Sequence, residues 1–440
     1  MNPRRAVFLL LAVSLATAAT LPAEVVRTAA RPAERAVPAY RPGEVIVRFE
    51  SAAELSTVEK AVRDVGGVQA RRSRRGGHWL VTLRSGASVP EAVARFSAMR
   101  EVSYAEPNGT LSAFFSPNDR LFQAQWHMRL IGVERTWDIQ RGDPSVAVAV
   151  VDSGVAYEDF GPFRKAPDWG GTVFLQGFNV ATGSSHANDD NFHGTHVAST
   201  IAEATNNGTG VTGLAFDCSI LPVKVLDHDG IGSFFDVAEG IDYATGFSQG
   251  GRNPVKVINL SLGGDASSET VERAIDRAVE AGITVVAAAG NDGLGSLAFP
   301  ASLPNVIAVG AVDGRRQKAP YSNFGAGLSV VAPGGDLDRD DDGDGFPDGV
   351  LQQTFDPRTA AEQGRFDDFA YFFVDGTSQA TPHVAALAAL LVRQGITSPA
   401  AVKAAIESTA DDLGSPGRDD TYGHGLIDPA RALSGLGFNQ

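Results

Sequence analysis

Residues 146–154 read Val-Ala-Val-Ala-Val-Val-Asp-Ser-Gly. An apolar, valine-rich run of this length with no polar interruption is the pattern of a strand buried on both faces, and hence of a parallel sheet. It ends on an acid, Asp152, and then a glycine. In open α/β sheets, ligand-binding and catalytic groups gather at the carboxyl ends of the strands. Similar runs recur at 220–226, 255–260, 283–289, 305–312 and 328–332, and helical patterns lie between some of them, at 233–245 and 269–281. The chain therefore reads as α/β, a mostly parallel sheet flanked by helices.

Two further stretches carry complementary chemistry. His193-Gly194-Thr195-His196-Val197-Ala198 opens an apolar helix. Gly376-Thr377-Ser378-Gln379-Ala380-Thr381-Pro382-His383-Val384-Ala385 reads as a turn that delivers Ser378 onto a helix apolar on every side as far as Leu391, and so buried. Pro382 is read as sitting early, where a missing N–H costs nothing. A hydroxyl at a helix N-terminus faces free N–H groups and the positive end of the dipole, where negative charge on an attacked carbonyl is stabilised. A serine there is equally an ordinary N-cap. What separates the two readings is that acid, histidine and serine occur together, as a nucleophile, its base and its orienting group require. His193 and His196 also have the spacing of a metal pair, but no third ligand follows at suitable spacing.

The order Asp152, His193, Ser378 resembles that of the subtilisin-like serine peptidases (peptidase S8 family). The resemblance implies a catalytic triad of these three residues, with His196 packed in the interior. Asn291, in Ala-Ala-Gly-Asn-Asp-Gly after a strand, matches the family's oxyanion asparagine. Ser261, Leu262 and Gly263 match the edge along which a peptide substrate pairs as an added strand. Ala288, Gly290 and Ala298 match positions lining the main specificity pocket; all are small, so an open apolar pocket for large uncharged side chains is expected. The loop Thr205–Val211 matches one that wraps a calcium ion in the family. The carried-over ligands are the Asn207 side chain, the carbonyls of Thr205, Thr209 and Val211, and the Asp168 carboxylate. Two departures stand out. A longer loop through Phe160, Phe163 and Ala166 follows Asp152, and Gln379 stands where the family usually has methionine, which implies changed sensitivity to oxidation.

The 440 residues allow two domains. Residues 1–19 read as a signal peptide: Arg4 and Arg5, a short apolar run, then Ala16-Thr17-Ala18. Residues 20–41 read as a Pro/Arg/Ala-rich linker. Residues 42–107 show a βαββαβ order, the ferredoxin-like split unit, similar to the inhibitor I9-like propeptide of the family's zymogens. Residues 108–125 form a processing junction, 126–434 the catalytic domain and 435–440 a tail. Residues 1–107 carry 16 Lys and Arg against 10 Asp and Glu, net +6, and the remainder 21 against 42, net −21, which suggests that the two parts attract. The overall charge of −15 argues against a nucleic-acid partner. The single cysteine, Cys218, reads as a buried inert thiol.

One stretch is unusual. Asp340, Asp342 and Asp344, then Gly345 and Asp348, have the spacing of a calcium loop without the closing glutamate of an EF-hand. Unpaired, so many carboxylates would repel, which favours a structural cation. Asn188–Asn191 reads as a polar loop on the cleft rim, and 354–369 as a surface loop. The expected protein is a secreted or extracytoplasmic endopeptidase, a monomer with protein or peptide substrates, its own propeptide as partner, structural calcium, no catalytic metal and no membrane span in the mature form. Two other readings stay open. One is a non-catalytic, calcium-stabilised binding relative, against which intact Asp152, His193, Asn291 and Ser378 argue. The other is the serine-carboxyl peptidases, which replace the histidine by glutamate and are excluded if His193 lies in the cleft.

Overall fold

The computed structural model describes residues 40–51, 53–110, 115–341 and 343–435. The expected signal peptide, the linker up to residue 39, Asp342 and residues 436–440 lie outside the described residues. The chain divides into two compact units, residues 18–113 and the part from 114 onward.

The first unit runs β1 (Tyr40–Phe49), α1 (Leu55–Val65), β2 (Gly67–Arg72), β3 (His78–Leu83), α2 (Val89–Ser97) and β4 (Val102–Gly109). The strands form an antiparallel sheet in the order β2-β3-β1-β4, the ferredoxin-like arrangement expected. Val45, Val47 and Val81 alternate onto one face and pack with Val58, Ala61 and Val62 of α1 and Phe96 of α2. Helix α1 stops at Gly66, whose φ of 94° an L side chain rarely adopts.

The second unit opens with two short helices, α3 (Trp126–Leu130) and α4 (Val133–Trp137), before β5 (Ala147–Asp152). There follow β6 (Phe178–Asn179), α5 (His193–Ala202), β7 (Ser219–Lys224), α6 (Phe234–Gly246), β8 (Val255–Leu260), α7 (Glu269–Glu280), β9 (Thr284–Ala288), β10 (Ile307–Val312) and β11 (Val330–Pro333). These strands form one sheet in the order β11-β10-β9-β8-β5-β7-β6, every pair parallel. The chain runs from β5 to β6 at the sheet edge, back through α5 to β7, and on through α6 to β8 on the other side of β5. Helix α5 packs against α9 and α6 against α7, and β5, flanked by β7 and β8, presents its carboxyl end where an open α/β sheet places ligand-binding and catalytic groups. Asp152 is at that end.

The last part holds β12 (Val350–Phe355), α8 (Pro357–Gln363), β13 (Phe369–Val374), α9 (Thr377–Arg393), α10 (Pro399–Thr409) and α11 (Pro429–Ser434). Helix α9 is buried nearly throughout and packs against α5 and strands β8, β9 and β10.

Three expectations are corrected. The stretch 354–369, expected as a surface loop, begins in buried β12 and carries α8, with residues 363–365 and 367–368 exposed; the unexpected element is β12 itself, which pairs antiparallel with β13. The strand was hidden by its polar letters, because Gln352 and Gln353 are buried with their amides donating to the Thr212 carbonyl (3.2 Å) and Glu203 Oε1 (2.7 Å). Asn188 and Asp189 are buried and not on a polar rim. Pro382 is not at the helix start, since α9 begins at Thr377. Its missing N–H frees the carbonyl four residues back, that of Ser378.

Candidate active site

The carboxylate of Asp152 is fully buried. Its Oδ1 accepts from the Ser153 N–H (2.7 Å) and from His193 Nδ1 (2.8 Å). Binding Nδ1 to a carboxylate leaves Nε2 as the free nitrogen of a neutral ring. His193 is the first residue of α5, and close packing brings it there: a Cβ on Gly194 would lie 2.1 Å from the Gly154 carbonyl. Burial lowers the His193 pKa, but the Asp152 carboxylate, with a smaller contribution from Asp189, more than offsets this, so the net shift is upward.

Asp189 was not singled out in the sequence. It is buried, and its Oδ1 accepts from Ser153 Oγ (2.9 Å) and the N–H groups of Asn191 (2.9 Å) and Phe192 (3.1 Å). Its Oδ2 accepts from the N–H (2.9 Å) and hydroxyl (2.6 Å) of Thr195. Asp189 thus ties the end of β5 to the first turn of α5, with His193 between. An acid four residues before the histidine was the available signal. Lys224, the register partner of Asp152, is buried and donates to the carbonyls of Ser153 and Leu226 (2.8 Å each) and to Asp190. His196 is buried, with Nε2 donating to the carbonyls of Val350 (3.1 Å) and Phe372 (3.2 Å). Burial depresses it to about 3, so it braces the β12–β13 hairpin as a neutral ring. Burial likewise pushes the Cys218 thiol up to about 12.

Ser378 is in the first turn of α9, and its hydroxyl donates to the Ser261 carbonyl (3.0 Å). The carbonyl of Ser378, freed by Pro382, accepts from Ser261 Oγ (2.8 Å). Asn291 turns its Oδ1 to the N–H and hydroxyl of Thr377 (2.8 Å each), which fixes the amide and leaves Nδ2 as the other end.

Leu262 and Gly263 line two recesses, and Ser261 lines the larger of them. One, of about 340 Å³, is bounded by Leu262, Gly263, Ala288, Gly290, Asn291, Ala298 and Ser378. Asp265 and Asp292 also line it, so the pocket is less apolar than its small residues implied. The other, of about 630 Å³, holds His193, Ser261 and Ser378 at one end and Leu226, Ile231, Phe234, Val237 and Phe299 along its walls. This apolar groove was not foreseen, because its residues are spread over several elements.

The acidic loop differs from expectation. Asp340 accepts from the N–H groups of Gly343 (2.8 Å) and Gly345 (3.2 Å), Asp344 from that of Phe346 (2.8 Å), and Asp348 from that of Asp341. Asp341 pairs with Arg315 (2.8 Å) and Arg339 (3.0 Å). Among the described residues, no three of these carboxylates converge as metal ligands would. Backbone N–H groups answer Asp340, Asp344 and Asp348, while the two arginines pair with Asp341, which was not among the expected ligands.

The loop at 205–211 is different. Asp168 is buried, accepting from Asn207 Nδ2 (2.7 Å), the Val211 N–H (3.2 Å) and the Tyr371 hydroxyl (3.1 Å). Asp119, a residue not singled out in the sequence, is buried and accepts from the N–H groups of Asn206 (2.6 Å) and Asn207 (3.4 Å). Burial, with a smaller contribution from Asp119, raises Asp168 to about 6. Two buried carboxylates thus flank one loop, held by its N–H groups, while Asn207 Oδ1 accepts from the Thr209 N–H (2.8 Å); carboxylate oxygens of this kind suit a hard cation.

Comparison with known proteins gives the family. The sequence model of the subtilase family matches residues 143–425, and that of the fervidolysin N-terminal prodomain matches residues 27–108. The chain is 36% identical over 386 residues to a thermophilic serine proteinase of Bacillus sp. (strain AK1), covering 88% of this chain and 86% of that protein. It is 36% identical to thermitase of Thermoactinomyces vulgaris, covering 69% and 94%, and 37% identical to subtilisin Savinase of Lederbergia lenta, covering 65% and 90%. A solved protease structure from Pseudoalteromonas arctica superposes with a TM-score of 0.63 at 32% identity, over 73% of this chain and all of that one.

The pairing of Ser261 with Ser378 yields a test. Ser261→Ala strands the Ser378 carbonyl and is expected to destabilise the unit by about 1–3 kcal/mol, read by thermal unfolding. Adding Pro382→Ala restores an N–H four residues on and is expected to recover part of the loss; a further loss would contradict the assignment.

Proposed function

The chain belongs to the subtilase family and is a serine proteinase with an N-terminal prodomain; from that premise we propose that it is a secreted endopeptidase, made as a zymogen that processes itself. Ser378 Oγ attacks the peptide carbonyl. His193 takes the hydroxyl proton on Nε2 and later gives it to the leaving amine. Asp152 holds the ring in the required tautomer and stabilises its charged form. The Asn291 amide and the Ser378 N–H donate to the oxyanion. Water then hydrolyses the acyl-enzyme, with His193 again the base. The observation that carries this reading is the 2.8 Å contact of buried Asp152 with His193 Nδ1, in the cleft that Ser378 also lines.

The substrate lies along Ser261, Leu262 and Gly263 as an added strand, its principal side chain in the recess of Ala288, Gly290 and Ala298. Large uncharged side chains fit this pocket, and Asp265 and Asp292 at its wall disfavour acidic ones. Calcium, held by Asp119, Asp168, the Asn207 side chain and the carbonyls of Thr205, Thr209 and Val211, braces the loop after α5 and takes no part in the chemistry. The Asp340, Asp342, Asp344 and Asp348 loop is a second calcium site only if the ion itself draws the carboxylates together.

Two outcomes are expected. The secreted wild type loses an N-terminal fragment ending between Asn108 and Arg120, while Ser378→Ala stays whole by intact mass; both staying whole in calcium would contradict the zymogen reading. Chelation lowers the thermal midpoint by about 5–10 °C, and Asp168→Asn abolishes most of that difference; equal midpoints with and without chelator would remove calcium from the account.

A further inference from the structure

Gln379 follows the nucleophile in α9 and is only 1% exposed. Its side-chain Nε2 is buried and has no hydrogen-bond partner. A native interior leaves few buried polar groups unanswered, and each one calls for an explanation, a catalytic role among them. Two oxygens of the same turn are already engaged. The Thr377 hydroxyl is engaged with Asn291 and the Gly290 N–H, and Gln379's own carbonyl accepts from His383 Nδ1 (2.9 Å).

The position of the amide is more informative. Gly376 has φ 151°, and the space where its Cβ would stand is ringed by polar groups. That point is 2.7 Å from Gln379 Oε1, 3.5 Å from Asn291 Nδ2 and 3.7 Å from the backbone nitrogen of Ser378. The last two are the donors assigned above to the oxyanion. The third is a carboxamide whose terminal torsion is broad and two-fold, so that a half-turn exchanges Oε1 for Nε2. No hydrogen bond holds Nε2 in its present orientation.

We propose that Gln379 is a further catalytic residue of the acyl-transfer reaction, its Nε2 turning to the developing oxyanion as a third donor beside Asn291 Nδ2 and the Ser378 N–H. This rests on the acyl-transfer reading above. The acceptor that the resting enzyme lacks is the oxygen that gains charge in the reaction, so the interaction is made only in the transition state and raises turnover without tightening substrate binding. The exchanged Oε1 is then the atom left unpaired, and an under-satisfied oxygen is tolerated better than an orphaned N–H.

The test compares mature wild type, Gln379→Leu and Gln379→Met. Turnover and KM are measured on a peptide p-nitroanilide, inhibition with a peptide boronic acid, and stability by thermal unfolding. The expected result is a fall in kcat of about 10-fold or more with KM within about twofold. The boronate should weaken in the same proportion, and the thermal midpoint of the leucine variant should hold or rise because an unpaired amide has gone. The inference is overturned if both variants keep kcat within about twofold of wild type, or if kcat falls while boronate affinity is unchanged. A wild type that does not react with a fluorophosphonate overturns the acyl-transfer reading itself, and this inference with it.

Discussion

A carboxylate buried at the end of a central strand must be given donors or lose its charge, and the organisation around Asp152 follows from that requirement. Its Oδ1 takes the Ser153 N–H and the His193 ring, which joins β5 to α5. A second buried acid, Asp189, gathers five donors from Ser153, Asn191, Phe192 and Thr195 and locks the same junction from the other side. Lys224, beside them on β7, is held by the Ser153 and Leu226 carbonyls and by Asp190, and adds a buried cation near Asp189. The histidine is therefore held by the same bonds that let the acids stay in the interior, and its raised pKa is a consequence of that arrangement.

A second constraint comes from Pro382. A proline six residues into a buried helix leaves a carbonyl without its donor, and the structure answers with Ser261 Oγ. That residue starts the strand edge on which a peptide is proposed to lie, and its own carbonyl receives the Ser378 hydroxyl. Nucleophile and substrate edge are thus fixed to each other by a defect in the helix. The unpaired amide of Gln379 is another local cost in the same turn. Both lie within four residues of Ser378, where a locally imperfect sequence is an informative one.

The parallel sheet was legible because its strands are valine- and alanine-rich runs buried on both faces, and the three motifs were legible because each sits at the end of such an element. The ferredoxin-like unit was legible from its alternation and from the glycine that stops α1. What was not legible depended on partners distant in sequence. The strand β12 carries two glutamines whose acceptors lie 140 and 150 residues away, so no strand was read there. Asp119 and Asp189 showed no sign of burial, since an acid's environment is decided by the N–H groups that fold around it. In the acidic loop the spacing was visible, but the backbone N–H groups that answer Asp340, Asp344 and Asp348 were not part of the pattern.

The claim on which the account rests is that Asp152, His193 and Ser378 act as one unit, and the rate of reaction with a fluorophosphonate as a function of pH, with the labelled residue located by mass, tests it most directly. Only neutral His193 can take the serine proton, and its pKa is raised, so reactivity should be lost as pH falls through a value above the ordinary histidine value of about 6.5. The account predicts a single adduct on Ser378, this acid limb, and no comparable labelling of His193→Ala. Label on another residue, or equal labelling of the His193→Ala variant, would contradict it.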